Sequence, residues 1–511
     1  MLAIFDQGPP PPCPAPFNLA AHVLRHARDL ADKIALSVLG VDGGEDWSYQ
    51  QLEQAVRGTG TGLLASGLKP GDIVLMRLGN TVDFPIAYLG AIAAGLIPVP
   101  TSSQLTAAET LKMIADLSPA AVVRDADVAC APHPNQIDAR ALRDMRQSAM
   151  CDYDMGDPNR MAYIVYTSGS SGNPRAVAHA HRAIWARQMM VDGWYGLTPD
   201  DRLMHAGAFN WTYTLGTGLM DPWTIGATAL IPRQGTDSSA IPALLREHKA
   251  TIFAAAPGVY RKMLNDHPVL DLPDLRHGLC AGEKLSSHLH QTWTETTGTP
   301  LYEAYGLSEV STFISSCPTH PSQNGTLGQP QTGRRVAIVG ADGPVPTGEP
   351  GTIAVHKSDP GSMLGYLHNP DETNARMQGD WFMTGDLGSM TKIGQIAYLG
   401  RNDDMMNAGG FRVSPLEVEA VLTTHPGITQ IGVTDVEVKQ DTHIIVAFYT
   451  GPTPLDESDL YAYVHDKLAR YKQPRAYVHL TALPAGPNGK LQRRALRTYF
   501  KGHDNAKHQK D

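Results

Sequence analysis

Short apolar runs alternate with helical patterns through the first half of the chain. A capping-box pattern at 48–51 predicts the start of an amphipathic helix that continues to about Leu64. Alternating strands and helices favour the α/β class, with a largely parallel sheet covered by helices. The apolar runs typical of buried strands lie at 73–76, 120–123, 163–166, 228–231 and 251–255.

The pattern changes near residue 325 and again after Arg401. Short apolar runs with Gly/Pro turns between about 325 and 400 predict a small β-barrel. We therefore predict a large domain over 1–402, which includes the barrel, and a small α+β C-terminal domain over 403–511. In the small domain, the predicted elements are a helix at 415–424 with Ser414 as its N-cap, a second helix at 456–470, and strands near 428–434, 443–449 and 476–480.

Composition and charge are those of an ordinary globular protein, because 42% of residues are hydrophobic and 18% are charged. The formal net charge of −9 argues against nucleic acid as the main partner. The five cysteines lack metal-ligand spacing, which favours reduced thiols and a cytoplasmic location. The longest apolar stretch, 84–99, is short for a membrane span and predicts a buried helix running into a strand. We interpret the pairs His179/His181 and His288/His290 as surface or loop histidines.

The most informative stretch is YIVYTSGSSGNPRAVAHAHR, residues 163–182. Its apolar run leads into a loop of small hydroxyl residues and glycines, 167–172, which has the groups needed to bind phosphate. Arg175 follows and adds a permanent positive charge. The loop lacks the Walker A spacing. Taken alone, it leaves open the alternative of a Ser/Gly-rich turn without a ligand.

Four further segments follow in a fixed order: YEAYGLSE (302–309), WFMTGD (381–386), GRNDDMMNAGGFRVSPLEVE (400–419) and GPNGKLQR (486–493). Together with the loop, they resemble the adenylate-forming superfamily of acyl-CoA synthetases, nonribosomal adenylation domains and luciferases. The resemblance implies that ATP activates a carboxylic acid to an acyl-adenylate and that pyrophosphate is released. It also implies ATP, Mg²⁺ and coenzyme A as cofactors and substrates, and a mobile small domain.

The resemblance assigns most of these motifs to the nucleotide. It places Tyr305 against the adenine, Ser308 on the α-phosphate and Glu309 on Mg²⁺, with Asp386 and Arg401 at the ribose. Taken singly, Glu309 is also typical of a surface acid and Asp386 of a turn. The implied ATP-binding residues are Thr167, Ser168, Gly169, Ser170, Ser171, Gly172, Arg175, Gly282, Glu283, Glu303, Ala304, Tyr305, Gly306, Ser308, Asp386 and Arg401.

Lys490, in NGKLQRR, is the residue that the resemblance makes most important. Its ammonium is implied to bridge the substrate carboxylate and the α-phosphate, and with Thr167 and Glu309 it forms the implied catalytic set. Two positions depart from the family pattern, since Arg175 stands where lysine is usual and Ser308 where threonine is commoner. Both changes retain the chemical group, a cation and a hydroxyl.

The second half-reaction is implied to use another face of the small domain. The resemblance places the domain pivot at Asp403 and the entry of the thiol near Gly409, Gly410 and Arg412. A narrow channel for pantetheine needs backbone without side chains, and this requirement would explain the glycines in the loop. A plain hairpin turn is the alternative for this loop.

The identity of the acid is the least determined part of the function. Segment 209–228 resembles the acyl-pocket lining of medium-chain and aromatic acyl-CoA synthetases. Gly306 stands where acetate-activating relatives carry a tryptophan, which predicts space for more than two carbons. We predict that Trp211 lines this pocket, although Trp211 and Tyr213 are equally typical of core aromatics.

These observations favour an acid–CoA ligase for a medium-chain or aromatic acid. Two other classes remain open: an adenylating enzyme that loads a carrier protein in trans, and a non-catalytic module or an oxidative relative such as a luciferase. The presence of Glu309, Asp386 and Lys490 together argues against a module without activity. We expect a small carboxylic acid and coenzyme A as partners, with no nucleic acid and no membrane span. A homodimer is left open.

Overall fold

The computed structural model describes residues 1–40, 43–167, 175–267, 269–402, 404, 406–408, 411–439, 442–465, 467–468, 470–486 and 490–507. The chain has the α/β architecture predicted from the sequence, with helices packed on mixed sheets. The helices are α1 (Leu19–Val23), α2 (Tyr49–Ala65), α3 (Asp83–Ala93), α4 (Ala107–Leu117), α5 (Ala139–Met145), α6 (Arg182–Ala186), α7 (Asp221–Ile225), α8 (Ile241–Glu247), α9 (Pro257–Asp266), α10 (Ser287–Thr297), α11 (Pro370–Ala375), α12 (Pro415–Leu422), α13 (Glu457–His465) and α14 (Arg493–Lys507).

The strands divide among parallel and antiparallel sheets. Those of the first three hundred residues are β1 (Ile4–Asp6), β2 (Ile34–Leu39), β3 (Glu45–Ser48), β4 (Ile73–Arg77), β5 (Ile97–Pro100), β6 (Ala121–Arg124), β7 (Gln136–Asp138), β8 (Met161–Thr167), β9 (Arg175–Ala180), β10 (Arg202–His205), β11 (Thr228–Pro232), β12 (Ile252–Ala255) and β13 (His277–Ala281). The others are β14 (Leu301–Leu307), β15 (Ser311–Ser315), β16 (Gln329–Pro330), β17 (Arg335–Gly340), β18 (Gly343–Pro344), β19 (Pro350–His356), β20 (Gly365–Tyr366), β21 (Met377–Gln378), β22 (Trp381–Met390), β23 (Ile396–Arg401), β24 (Met406–Ala408), β25 (Phe411–Val413), β26 (Gln430–Lys439), β27 (Thr442–Thr450) and β28 (Ala476–His479).

The central sheet presents one edge at which several parallel strands end. Its strand order is β16-β15-β14-β13-β12-β10-β11-β2-β3, and the strands from β14 to β2 run parallel. Both faces are covered, so the strands are almost continuously apolar, as in β12, where all four residues are buried. In such sheets ligands bind in the crevice outside the carboxyl ends of the strands. The ends of β10, β12, β13 and β14 therefore define where a site is expected.

A smaller parallel sheet, β5-β4-β6-β7, packs against α3, which in turn packs against α2. Helix α2 begins with the predicted capping box, in which the Ser48 side chain and the Gln51 backbone are hydrogen-bonded. A Cβ at Gly60 would lie only 3.0 Å from the Gly90 carbonyl oxygen, so this glycine allows α2 to approach α3 closely. Helix α3 and strand β5 confirm the buried helix and strand predicted for 84–99.

The region predicted as a small β-barrel is an open antiparallel sheet among the described residues. Its order is β1-β17-β19-β22-β21, with β18 attached to β17 and β23 to β22. The Gly/Pro turns predicted the hairpins correctly. The prediction that this sheet closes into a barrel was wrong. Closure depends on which strands form the edges of the sheet, and the distant N-terminal strand β1 occupies one edge by pairing with β17.

The C-terminal part forms a sheet, β26-β27-β28, packed against α12, α13 and α14 with a core of its own. Ser414 precedes α12 as predicted, but it makes no side-chain cap. Its hydroxyl instead donates to the Leu399 carbonyl oxygen at 2.6 Å, because this helix starts against strand β23. Within the described ranges, no helix is both long and apolar enough to cross a membrane.

Candidate functional site

The candidate phosphate loop connects two adjacent strands of a hairpin. Strand β8 ends at Thr167 and β9 begins at Arg175, and these two residues are register partners. The predicted ATP ligands 168–172 and the side chain of Thr167 lie outside the described residues. The Arg175 guanidinium pairs with the Glu372 carboxylate and stands 5.3 Å from the centre of the Tyr366 ring. A cation is therefore held at the base of the loop.

Ser308 and Glu309 lie in the turn between β14 and β15, and each accepts a hydrogen bond from the sheet that contains β9 and β20. The Tyr366 hydroxyl donates to Oε1 of Glu309 at 2.8 Å, and Nε2 of His179 donates to the Ser308 carbonyl oxygen at 2.7 Å. His179 lies on β9 and Tyr366 on β20, which pairs with β9. The three-stranded sheet that carries the candidate phosphate loop therefore also holds the candidate metal ligand.

The candidate ribose residues Asp386 and Arg401 form a cluster with Tyr305, the candidate adenine residue. The Tyr305 hydroxyl donates to Oδ2 of Asp386 at 2.5 Å, and Nε of Arg401 lies 3.5 Å from Oδ1. Asp386 and Arg401 are register partners on β22 and β23. Burial and the neighbouring Asp386 carboxylate raise the pKa of Tyr305 well above its usual value, so this hydroxyl stays a donor. The structure thus joins residues that the sequence separates by about a hundred positions.

The segment Ala281-Gly282-Glu283 continues from the carboxyl end of β13. Gly282 has a φ of +96°, a conformation that favours glycine, and a Cβ there would lie 3.8 Å from the Trp211 ring. Burial raises the pKa of Glu283, and the charges of Arg261 and Lys490 oppose this rise. Lys490 in the C-terminal part therefore lies close enough for its charge to act on the cleft.

Glu303 and Ala304 support this segment from strand β14. Glu303 is 6% exposed, and its carboxylate accepts from Nζ of Lys284 at 3.1 Å and from the Leu285 backbone N–H at 2.7 Å. Burial raises the pKa of Glu303, and the nearby Lys284 ammonium opposes the rise. The carboxylate thus fixes the start of the loop after β13. Direct contact of Glu303 and Ala304 with ATP stays a prediction.

Aromatic side chains stand above the carboxyl ends of the central strands. The Trp211 ring is perpendicular to the Tyr213 ring at 5.1 Å and to the His205 ring at 6.0 Å. Tyr213 packs against a buried cluster that includes the small residues Ala254 of β12 and Ala281 of β13. These rings are the candidate wall of an acyl pocket, and the Trp211 ring lies beside Gly282 of the candidate adenine segment.

Packing explains why a glycine stands at position 306, independently of any substrate. A Cβ at this position would lie 2.3 Å from the Ser311 carbonyl oxygen and 2.6 Å from Cα of Thr312. Any side chain would therefore displace the hairpin of β14 and β15. That Gly306 opens the acyl pocket stays a prediction, and replacing it with tryptophan would not test the prediction cleanly.

Most residues of the predicted thiol entry and domain pivot lie outside the described residues. Asp403, Gly409 and Gly410 lie outside the described residues, and Arg412 is described only through its backbone in β25. Within the described ranges, no group of three His, Cys, Asp or Glu residues could hold a metal ion. Glu309 alone still fits Mg²⁺ that arrives with a nucleotide, because magnesium takes one or two carboxylates together with phosphate oxygens.

Two family models match this chain. The model for AMP-binding enzymes matches residues 23–367, and the model for their C-terminal domain matches residues 417–490. The chain belongs to the AMP-binding enzyme family. The predicted domain boundary at residue 402 falls between the two matches of this AMP-binding enzyme, and it stays a prediction.

The AMP-binding enzyme resembles CoA ligases over nearly its whole length. A 3-hydroxybenzoate–CoA ligase of Aromatoleum sp. (strain CIB) is 29% identical over 93% of this chain and 95% of that protein. The crystal structure of a benzoate CoA ligase from Burkholderia xenovorans LB400 has a TM-score of 0.82 and 28% identity, and covers 94% of this chain and 100% of that chain. ATP-bound MatB from Rhodopseudomonas palustris has a TM-score of 0.86 and 25% identity, with coverage of 95% and 99%.

Several residues of the site were missed or misread in the sequence of this AMP-binding enzyme. The interpretation of His179 and His181 as surface or loop residues was wrong, since both are 2% exposed. His179 stacks on Tyr163 with 4.9 Å between ring centres. The position of His179 inside the apolar run of β9 was a signal of burial, and His181 directly follows that run. Tyr366 and Glu372 follow no motif, and only the pairing of β20 with β9 brings them to the loop.

Proposed function

We propose that this protein is an ATP-dependent acid–CoA ligase that acts on an aromatic carboxylic acid. The observation that carries the proposal is the contact of Tyr305, Asp386 and Arg401, three residues of the motifs implied to bind the nucleotide. The charge of Lys490, in the C-terminal part, opposes the rise in the pKa of Glu283 and supports a cation near this cleft. The pair of Tyr305 and Asp386 supports the nucleotide side of the same cleft.

In the first step, a carboxylate oxygen of the acid attacks the α-phosphorus of ATP. The new bond gives the acyl-adenylate, and the bond to the β-phosphate oxygen breaks to release pyrophosphate. The acid is already an anion, so no protein base is needed. The protein supplies position and positive charge where negative charge accumulates, through Lys490 and Arg175. Mg²⁺ bound at Glu309 would neutralise further phosphate charge.

In the second step, the thiol of coenzyme A attacks the acyl carbon and loses its proton to solvent, while AMP leaves with the electron pair of the acyl–oxygen bond. The Asp386 carboxylate, with Arg401 beside it, would retain the ribose of the adenylate during this transfer. Rotation of the small domain about the predicted pivot at Asp403 would withdraw Lys490 and bring in the thiol. One cleft would therefore serve both reactions.

The pocket wall favours an aromatic acid over a purely aliphatic one. Trp211, Tyr213 and His205 form a cluster of edge-to-face rings at the carboxyl ends of the central strands, which an aromatic ring of the substrate would extend. In the described part of the chain, Nε2 of His205 and the Tyr213 hydroxyl are buried without a hydrogen-bond partner. Such groups favour a ring that carries a hydroxyl, because an unpaired buried polar atom is costly.

A panel of acids tests the proposal directly. Purified protein with ATP, Mg²⁺ and coenzyme A should convert benzoate or a hydroxybenzoate to the thioester, with equal amounts of AMP and pyrophosphate. Hexanoate and acetate serve as aliphatic comparisons. Formation of ADP instead of AMP would overturn adenylation. Thioester formed on a carrier protein and never on coenzyme A would support the carrier-loading alternative.

Replacement of Trp211 by alanine tests the pocket. We expect kcat/KM for the preferred aromatic acid to fall about 10-fold or more, while the value for a short aliphatic acid changes little, since about 1–3 kcal/mol of ring contact is lost. Trp47→Ala is the matched control, because Trp47 is also half-buried but lies on edge strand β3. If both variants keep the parental acid profile, Trp211 is a core aromatic and does not line the pocket.

A further inference from the structure

Tyr366 holds the candidate metal ligand through both its side chain and its neighbouring backbone. Its hydroxyl donates to Oε1 of Glu309 at 2.8 Å, and three residues earlier the Met363 backbone N–H donates to the Glu309 carbonyl oxygen at 2.7 Å. Tyr366 itself is 4% exposed and is fixed by β20, where it is the register partner of Val177. The carboxylate is thus tied to the sheet that carries the phosphate loop.

The same ring also meets the cation at the base of that loop. The Arg175 guanidinium lies 5.3 Å from the ring centre of Tyr366, within the range of a cation–π contact. Glu372 pairs with this guanidinium from the first turn of α11, and Thr373 Oγ1 on the same helix accepts from the Tyr366 backbone N–H at 2.9 Å. Tyr366 therefore stands between the positive group and the carboxylate that would share the phosphates of one nucleotide.

We propose that Tyr366 is a positioning residue that orients the Glu309 carboxylate for the Mg²⁺ carried by ATP. The inference rests on the proposed function. A hydroxyl that donates to Oε1 fixes the rotation of the carboxylate and directs its other oxygen, which is the oxygen left for the cation. Partners that orient a metal ligand in this way contribute about 10- to 100-fold to metal affinity.

Tyr366→Phe removes the hydroxyl and retains the ring over which Arg175 lies. Tyr166→Phe is the matched control, because Tyr166 lies on β8 of the same sheet and its hydroxyl also donates to a carboxylate, that of Asp116. The readout is the binding of Mn²⁺, as a spectroscopic probe for Mg²⁺, to each protein with α,β-methylene-ATP, followed by electron paramagnetic resonance. We expect Tyr366→Phe to weaken Mn²⁺ binding about 10-fold or more, and Tyr166→Phe to match the parent.

The metal dependence of turnover gives a second readout. The Mg²⁺ concentration for half-maximal AMP formation should rise in Tyr366→Phe by the same factor. When Glu309→Gln is already present, Tyr366→Phe should cause no further loss, because its effect passes through that carboxylate. Equal Mn²⁺ affinity in Tyr366→Phe, Tyr166→Phe and the parent would overturn the inference, as would fully additive losses in the double variant.

Failure of the inference differs from failure of the proposed function. If the parent protein forms no AMP from any acid of the panel, the proposed function fails. If the parent is active and Tyr366→Phe keeps its metal dependence, the function stands and the inference fails. Thermal unfolding of both tyrosine variants shows whether either substitution disturbs the fold, and a loss of Mn²⁺ binding without a lower melting temperature supports orientation.

Discussion

Replacement of Lys490 by alanine should lower the rate of acyl-adenylate formation by about 10²–10³-fold or more, the usual cost of removing one preorganised group that stabilises a transition state. The charge of Lys490 opposes the rise in the pKa of Glu283, a residue of the candidate adenine segment. Two anions approach each other in this step, so loss of the bridging ammonium raises the barrier directly. Pyrophosphate release from ATP and the preferred acid measures the effect.

The same Lys490→Ala protein should still transfer the acyl group from preformed acyl-adenylate to coenzyme A at a nearly parental rate. Thioester formation would use a different orientation of the small domain. Lys467→Ala, an exposed lysine of the same domain, is the control and should leave both steps unchanged. Equal loss of both half-reactions in Lys490→Ala would contradict the model of a rotating domain.

Replacement of Asp386 by asparagine should raise the KM for ATP by about 10- to 100-fold, since hydrogen bonds to a charged group are the strong ones. Asp386 is 6% exposed and already accepts from the Tyr305 hydroxyl, with Arg401 beside it. Asparagine keeps the shape but loses the charge that would hold two ribose hydroxyls. Initial rates against ATP concentration at saturating acid provide the measurement.

In contrast to Lys490→Ala, the Asp386→Asn protein should be impaired in both half-reactions, because ATP and the acyl-adenylate share the ribose. Asp380→Asn is the control, since Asp380 is an exposed acid that pairs with Lys357 at 2.8 Å near the start of β22. Normal use of preformed acyl-adenylate by Asp386→Asn would remove Asp386 from the ribose site.

Much of the fold could be predicted from the sequence because the signals are local. The capping box before α2, the buried helix and strand at 84–99 and the apolar runs of the parallel sheet all depend on neighbouring residues. The ordered motifs likewise indicated the AMP-binding family, since each motif lies in one short stretch. The expected barrel was wrong because pairing of β1 with β17 joins residues more than three hundred positions apart.

What only the tertiary structure decided is how the motifs support one another. The sequence by itself named Tyr305, Asp386 and Arg401, but their contact arises from the approach of β14 to the paired strands β22 and β23. Tyr366 lies in none of the five segments, and the sequence assigned His179 no contact; both reach Glu309 and Ser308 because β20, β9 and β8 form one sheet. Motifs are local patterns of residue type, whereas these hydrogen bonds depend on long-range strand pairing that no local pattern encodes.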